Sequence, residues 1–355
     1  MWTEIEDGSV VDDEGRIIHF SLERFITDIA TGNCCFICGA RPDDKPFNDE
    51  HVFPEWLQRR YGLFHKQFTL PNGVGIRYDR YTVPCCVECN DLMGRVVETP
   101  MSNVVRGGAD QIREFIVGGD ALKVFVWMGL IFLKVHLKDR AHRVHLNRQL
   151  GDARIGDDYS WEDLHHIHSV VRCFYTGVGI DETAVGSMLI MPVNPEQDDE
   201  PFDFVDLSFA QATMLRLGDV AIYAVMNDSG GATNLFYPTL ERITGPLSEL
   251  QAREIVVELA LMNLYMRDRP TFSFLCHTEH ERGQLVGVRP RLWLDRREMA
   301  IRGQLLERAF GAILPPLNGY TEDEARAQMA DGRLSFLFGN DGQFIERNRL
   351  DPPPD

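Results

Sequence analysis

No apolar run in this chain is long enough to cross a membrane as a helix. The longest, Val124 to Leu133, holds ten residues between Lys123 and Lys134, whereas a span needs roughly 18. The opening Met-Trp-Thr-Glu-Ile-Glu-Asp lacks the basic and then apolar stretch of a secretory signal. The expected compartment is therefore the cytoplasm, with no membrane partner. Also missing are a Gly-rich phosphate cradle, a Gly-x-Ser-x-Gly elbow and any internal repeat, so nothing points to a P-loop enzyme, an α/β-hydrolase or a solenoid. Lysine is scarce: 31 of the 36 basic residues are Arg, including every one after Lys138.

Positive charge is short overall. The net charge of −18 argues against a nucleic-acid partner, because phosphate binding is driven by basic side chains and counterion release. Its distribution changes that conclusion. Residues 1–30 sum to −6, residues 31–150 to +3 and residues 151–355 to −15. The one block that suits a polyanion also holds six of the eight cysteines. At 355 residues, 44% apolar and 25% charged, the chain is globular and suits two domains rather than one core.

Local signals outline the elements. A hairpin over Ser9 to Phe20 turns at Asp12-Asp13-Glu14-Gly15, and Ser21 and Gly32 delimit a helix. Residues 33–105 are rich in turn formers and weakly periodic, whereas 109–148 reads as helical and Ser160 caps a helix reaching Tyr175. Strands are expected at Gly186–Val193, Phe202–Phe209, Asp219–Met226 and Asn234–Tyr237, the last two joined across Asp228-Ser229-Gly230-Gly231. Ser248 with Gln251 and Thr321 with Glu324 make capping boxes. Between these helices lie a strand, Thr271–Cys276, and a helix, Asp295–Phe310. The expected class is α+β, in segments 1–30, 31–105, 106–180, 181–350 and a tail at 351–355.

Two cysteine clusters carry the clearest chemistry: Cys34-Cys35-Phe-Ile-Cys38 and Cys85-Cys86-Val-Glu-Cys89. Two Cys-x-x-Cys turns can surround a tetrahedral Zn²⁺ at about 2.3 Å, which a loop-rich segment needs in place of a core. The expected ligands are Cys35, Cys38, Cys86 and Cys89, with Cys34 and Cys85 packed beside them. A disulfide framework is not expected in a reducing compartment. The 47-residue separation of the pairs exceeds that of a simple ribbon, so something is inserted between them.

That insertion contains Asp49-Glu50-His51-Val52-Phe53-Pro54-Glu55-Trp56-Leu57, and Asn90 follows the second pair directly. In this order the motifs resemble the HNH, or ββα-metal, nuclease family, notably bacterial members reading Glu-His-x-Phe-Pro-x-Trp-Leu and then Cys-x-x-Cys-Asn. The resemblance covers residues 31–135, with Glu98 and the Trp127 to Lys134 stretch. It implies a hairpin whose first strand ends at Glu50-His51, a second strand near Arg80 to Pro84 and a helix from about Cys89. It also implies His51 as general base, with Glu50 and Asn90 as ligands of a catalytic Mg²⁺ or Mn²⁺. A neutral imidazole takes the water proton near neutral pH, while carboxylate and amide oxygens suit a hydrated hard cation. One position departs: Tyr81 stands where the family commonly places an Asn that orients the base. Its hydroxyl or a backbone carbonyl is the substitute.

The resemblance implies hydrolysis of phosphodiester bonds, with DNA the expected substrate, and bacterial fusions of this kind resemble defence effectors. Arg59, Arg60, Lys66, Arg77 and Arg80, interleaved with Tyr61, Phe64, His65 and Tyr78, are the expected nucleic-acid contacts. The alternative is a zinc-stabilised binding module without catalysis, consistent with Tyr81 and the acidic total. The acidic half is expected to limit access to DNA and to bind a protein partner or ligand. His165-His166-x-His168 and Cys276-His277-x-Glu279-His280 match no ligand spacing and read as packing or surface, and Asp198-Asp199-Glu200 reads as a solvated loop.

Overall fold

The computed structural model describes residues 1–194, 202–277, 280, 282–310, 321–339 and 341–346. The Asp198-Asp199-Glu200 loop, Glu279 and the 351–355 tail lie outside them. The fold is mixed α+β. Contacts divide the chain into two compact units. Unit 1 contains Met1–Arg106, Phe115–Val185 and Thr271–Val288; unit 2 contains Gly107–Glu114, Gly186–Pro270 and Arg289–Asp355.

Unit 1 opens with a three-stranded antiparallel sheet, β1 (Thr3–Glu4), β2 (Val10–Val11) and β3 (Ile17–His19). The Ser21 hydroxyl then accepts from the Arg24 amide and starts α1 (Leu22–Arg24), prolonged by a π-helical turn to Ala30. β4 (Phe47–His51) pairs antiparallel with β7 (Thr82–Cys86), Glu50 opposite Val83 and His51 opposite Thr82. Between them lie α2 (Glu55–Arg60) and the small hairpin of β5 (Gln67–Thr69) and β6 (Gly75–Arg77). β7 runs straight into α3 (Val87–Met93), two residues earlier than expected, followed by α4 (Thr99–Arg106).

Downstream of α5 (Gly108–Phe115), α6 (Ala121–Asp139) is the core helix of unit 1, every residue from Val124 to Leu137 being buried. It ends at Asp139 rather than continuing to 148. The run Gly108–Asp139 is long and apolar enough, by length and composition alone, to cross a membrane. That composition is equally what a helix buried on all sides needs. α7 (Trp161–Val171) and α8 (Cys173–Thr176) follow, and left-handed Gly177 ends the run. A Cβ at Gly129 would lie 2.8 Å from Val171, so glycine sets the close crossing of α6 and α7. Finally β8 (Gly179–Ile180) pairs in parallel with Arg282–Val288, the second strand of a hairpin begun by Thr271–His277.

Unit 2 is an antiparallel sheet of β9 (Ser187–Pro192), β10 (Phe202–Leu207), β11 (Ala212–Leu217) and β12 (Val220–Val225), in the order β10-β11-β12-β9. β11 is not among the expected strands; like β12, all six of its residues are buried. A second expectation fails: Asn234–Tyr237 lies inside α9 (Gly231–Leu240) and is not a strand. Asp228 decides this, its buried carboxylate accepting from the Ala232, Gly230 and Ser187 amides. The Ala232 bond satisfies one of the first free N–H groups of the helix, while the Ser187 bond ties the turn to β9. α10 (Glu249–Leu264), α11 (Met299–Phe310) and α12 (Glu322–Ala330) complete the unit. Both predicted capping boxes are formed, and α11 starts four residues later than expected.

Candidate metal centre and hydrolytic site

The four predicted zinc ligands converge. The sulfurs of Cys35, Cys38, Cys86 and Cys89 all lie within 4.8 Å of one another, with Cys38 and Cys86 at 3.6 Å. Bonds of about 2.3 Å around a tetrahedral ion put its sulfurs about 3.8 Å apart, so the cluster can hold a metal such as zinc. The second pair is presented by the junction of β7 and α3. The first sits on a tight turn, with the Cys35 amide donating to the Ala40 carbonyl and the Gly39 amide to the Cys35 carbonyl.

Four sulfurs this close cannot all ionise unaided. Hydrogen bonds from Cys38, Cys85, Cys86 and Cys89 drive the Cys35 thiol far down, and donating to Cys35 pushes Cys85, Cys86 and Cys89 up. A dication removes that conflict by binding every thiolate. Cys85 is buried 3.8 Å from Cys35, and Cys34 is half-buried. All eight cysteines are free thiols.

The residues expected to carry hydrolysis are arranged differently from expectation. Adjacent residues of a strand face opposite ways, so Glu50 and His51 cannot share a face of β4. Glu50 is 6% exposed, and its Oε1 accepts from Lys134 Nζ at 2.6 Å. Lys134, buried on α6, also donates to the His51 carbonyl at 2.8 Å and lies 3.6 Å from Glu98. Burial opposes the Lys134 charge, but the carboxylates of Glu50 and Glu98 hold its ammonium above its ordinary value. Burial lifts Glu98 to about 7.

Glu50 therefore does not fit as a ligand of Mg²⁺ or Mn²⁺. An ammonium holds its Oε1, and at 6% exposure the carboxylate has little room for a hydrated Mg²⁺. Asn90 is half-buried on α3 and donates its amide to Asn48 Oδ1 at 2.9 Å. His51 is half-buried at the end of β4. The Tyr81 hydroxyl does not take the place of the orienting Asn: it donates to Asp139 Oδ1 at 2.5 Å in the core. Burial lifts Asp139 to about 7 despite that bond.

The expected phosphate contacts divide. Arg59, Arg60 and Arg80 are exposed, whereas Lys66 and Arg77 are half-buried. Glu55 pairs with Arg59 and Asp79 with Arg77, while no ion pair holds Arg60 or Arg80 among the described residues. Tyr78 packs on Phe53 and Phe68 and is a core ring rather than a stacking platform. No known family, curated protein or solved structure matches this chain.

Several partners of these residues escape local reading. Lys134 is 84 residues from Glu50; its signal is a lone lysine closing an apolar helical run, which demands a buried acid. Asn48 carries no signal of its own. The histidines of α7 are packing residues, as expected: the Nε2 atoms of His165, His166 and His168 donate at 2.8 Å to the Phe20, Ala184 and Phe36 carbonyls.

Proposed function

We propose that unit 1 is a zinc-stapled HNH-type endonuclease that hydrolyses phosphodiester bonds, most readily in DNA, with His51 as the general base. The observation that carries the reading is the antiparallel β4–β7 hairpin running directly into α3, with the four-cysteine cluster tying the β7–α3 junction to the turn at Cys35–Ala40. The motif residues also meet in space, which supports it further. Glu50 and Glu98 share Lys134, and Trp56 stacks on Trp127 with centroids 6.0 Å apart.

In this reading His51, half-buried at the end of β4, accepts the proton of the attacking water. Lys134 holds the His51 carbonyl and so fixes the backbone that carries the imidazole. Asn48 orients the Asn90 amide, and Arg60 and Arg80 meet phosphate. Unit 2 acts as the regulatory or partner-binding part.

The Glu50–Lys134 ion pair favours a second reading, a zinc-stabilised module that binds nucleic acid or protein without cutting it. Incubating the full chain with plasmid DNA and with RNA, each with and without Mg²⁺ or Mn²⁺, separates the two. Nicking or linearisation supports the nuclease, whereas binding without cleavage under every condition supports the module.

A further inference from the structure

A four-cysteine zinc centre carries a formal charge of −2, which in a buried site needs a nearby cation. Among the described residues two cations stand in the electrostatic surroundings of these four cysteines. Lys45 interacts with Cys38 and Cys86, but it is partly exposed and already paired with Glu88 at 2.6 Å. Arg172, at the end of α7, interacts with Cys35, Cys38 and Cys89 and is fully buried.

Among the described residues no carboxylate pairs with Arg172. Its Nε donates to the Ile37 carbonyl at 2.5 Å, between two of the cysteines. One terminal nitrogen donates to the Ile17 carbonyl at 2.6 Å and the other to the Ile18 carbonyl at 3.4 Å. The guanidinium stacks over Phe20 at 4.5 Å. These carbonyls take three of its five hydrogens without neutralising its charge. A buried arginine lacking an acid is costly unless an anion stands close by, and the cysteine turn that Arg172 grips through the Ile37 carbonyl supplies one when its thiols ionise around a metal.

We propose that Arg172 is the charge-balancing and positioning residue of the four-cysteine centre, holding the first Cys-x-x-Cys turn by the Ile37 carbonyl and offsetting the charge of the zinc tetrathiolate. His168 assists from the same helix through the Phe36 carbonyl, but as a neutral ring, because burial lowers its proton affinity. The inference stands apart from hydrolysis and holds equally if unit 1 only binds.

The test is zinc affinity of the full chain, measured by competition with a chelator. Arg172→Met should weaken zinc by about 10- to 100-fold, the usual effect of removing an outer support of a metal site. Arg172→Lys, which keeps the charge and loses the fork, should lose less. Lys45→Met should stay within about threefold of the wild type, because its charge is already paired and partly solvated. In the cobalt-substituted protein the sulfur-to-metal charge-transfer band should move to lower energy in Arg172→Met, as thiolates lose a neighbouring cation. Wild-type affinity with an unmoved band in Arg172→Met overturns the proposal, as does Arg172→Lys binding as weakly as Arg172→Met. If Arg172→Met cannot be recovered folded, Arg172→Lys decides: zinc within about tenfold of wild type supports the charge role, and a larger loss overturns it.

Discussion

Replacing Lys134 with methionine should destabilise unit 1 by about 3–5 kcal/mol, the usual consequence of removing one partner of a buried ion pair. Methionine fills nearly the same stem volume, so the packing term is small. What remains is polar. The substitution removes the 2.6 Å bond to Glu50, the 2.8 Å bond to the His51 carbonyl and the ammonium 3.6 Å from Glu98. Two carboxylates are then left facing each other with Glu50 only 6% exposed. Each buried group left unsatisfied costs about 1–3 kcal/mol. The assay is urea unfolding followed through the tryptophans, Trp127 lying on the same helix as Lys134. Lys134→Met with Glu50→Gln should recover at least about 1 kcal/mol, because the charge stranded by the single change is gone. A loss below about 1 kcal/mol, or a double variant no better than the single, would refute the assignment of Glu50 and Lys134 as a buried pair.

Three further outcomes follow from the geometry. Cys35→Ser or Cys89→Ser should lower zinc content and solubility together, whereas Cys34→Ser should keep about one zinc per chain, read by elemental analysis. Asp139, lifted by burial from 3.8 to about 7, contributes stability that is full below its unfolded pKa and lost as pH rises through about 7. Asp139→Asn should therefore flatten the stability profile between about pH 4 and 7 by up to about 4 kcal/mol, and an unchanged slope would remove Asp139 as its source. Lowering the salt concentration should reveal whether the −15 of residues 151–355 repels DNA. Intact protein that binds DNA more tightly as salt falls would place basic residues at the contact, and weaker binding would favour repulsion.

The four-cysteine cluster was legible because Cys-x-x-Cys is a local pattern whose spacing already fixes one turn of backbone. The strand ending at His51 and the helix carrying Asn90 were legible for the same reason, through contiguous motifs. What escaped was long-range. Lys134 reaches Glu50 across 84 residues, Tyr81 reaches Asp139 across 58, and Arg172 reaches Ile37 across 135. Asn234–Tyr237 misled because a short apolar run ending before Pro238 reads as a strand, while the Asp228 cap that makes it helical acts from a preceding turn. Unit 1 is discontinuous in sequence, so a fragment ending at residue 150 would lose α7, and with it His168 and Arg172 from the first cysteine turn.

The most direct test of the nuclease reading compares the full chain with His51→Ala on supercoiled plasmid DNA in Mg²⁺ or Mn²⁺, after both are shown to hold the same zinc. His51 supplies no sulfur to the cluster, so the variant should fold and keep its metal. Cleavage by the wild type and a fall of about 10²- to 10⁴-fold in the variant is the predicted result. Equal cleavage by both proteins, or none by either, would contradict it.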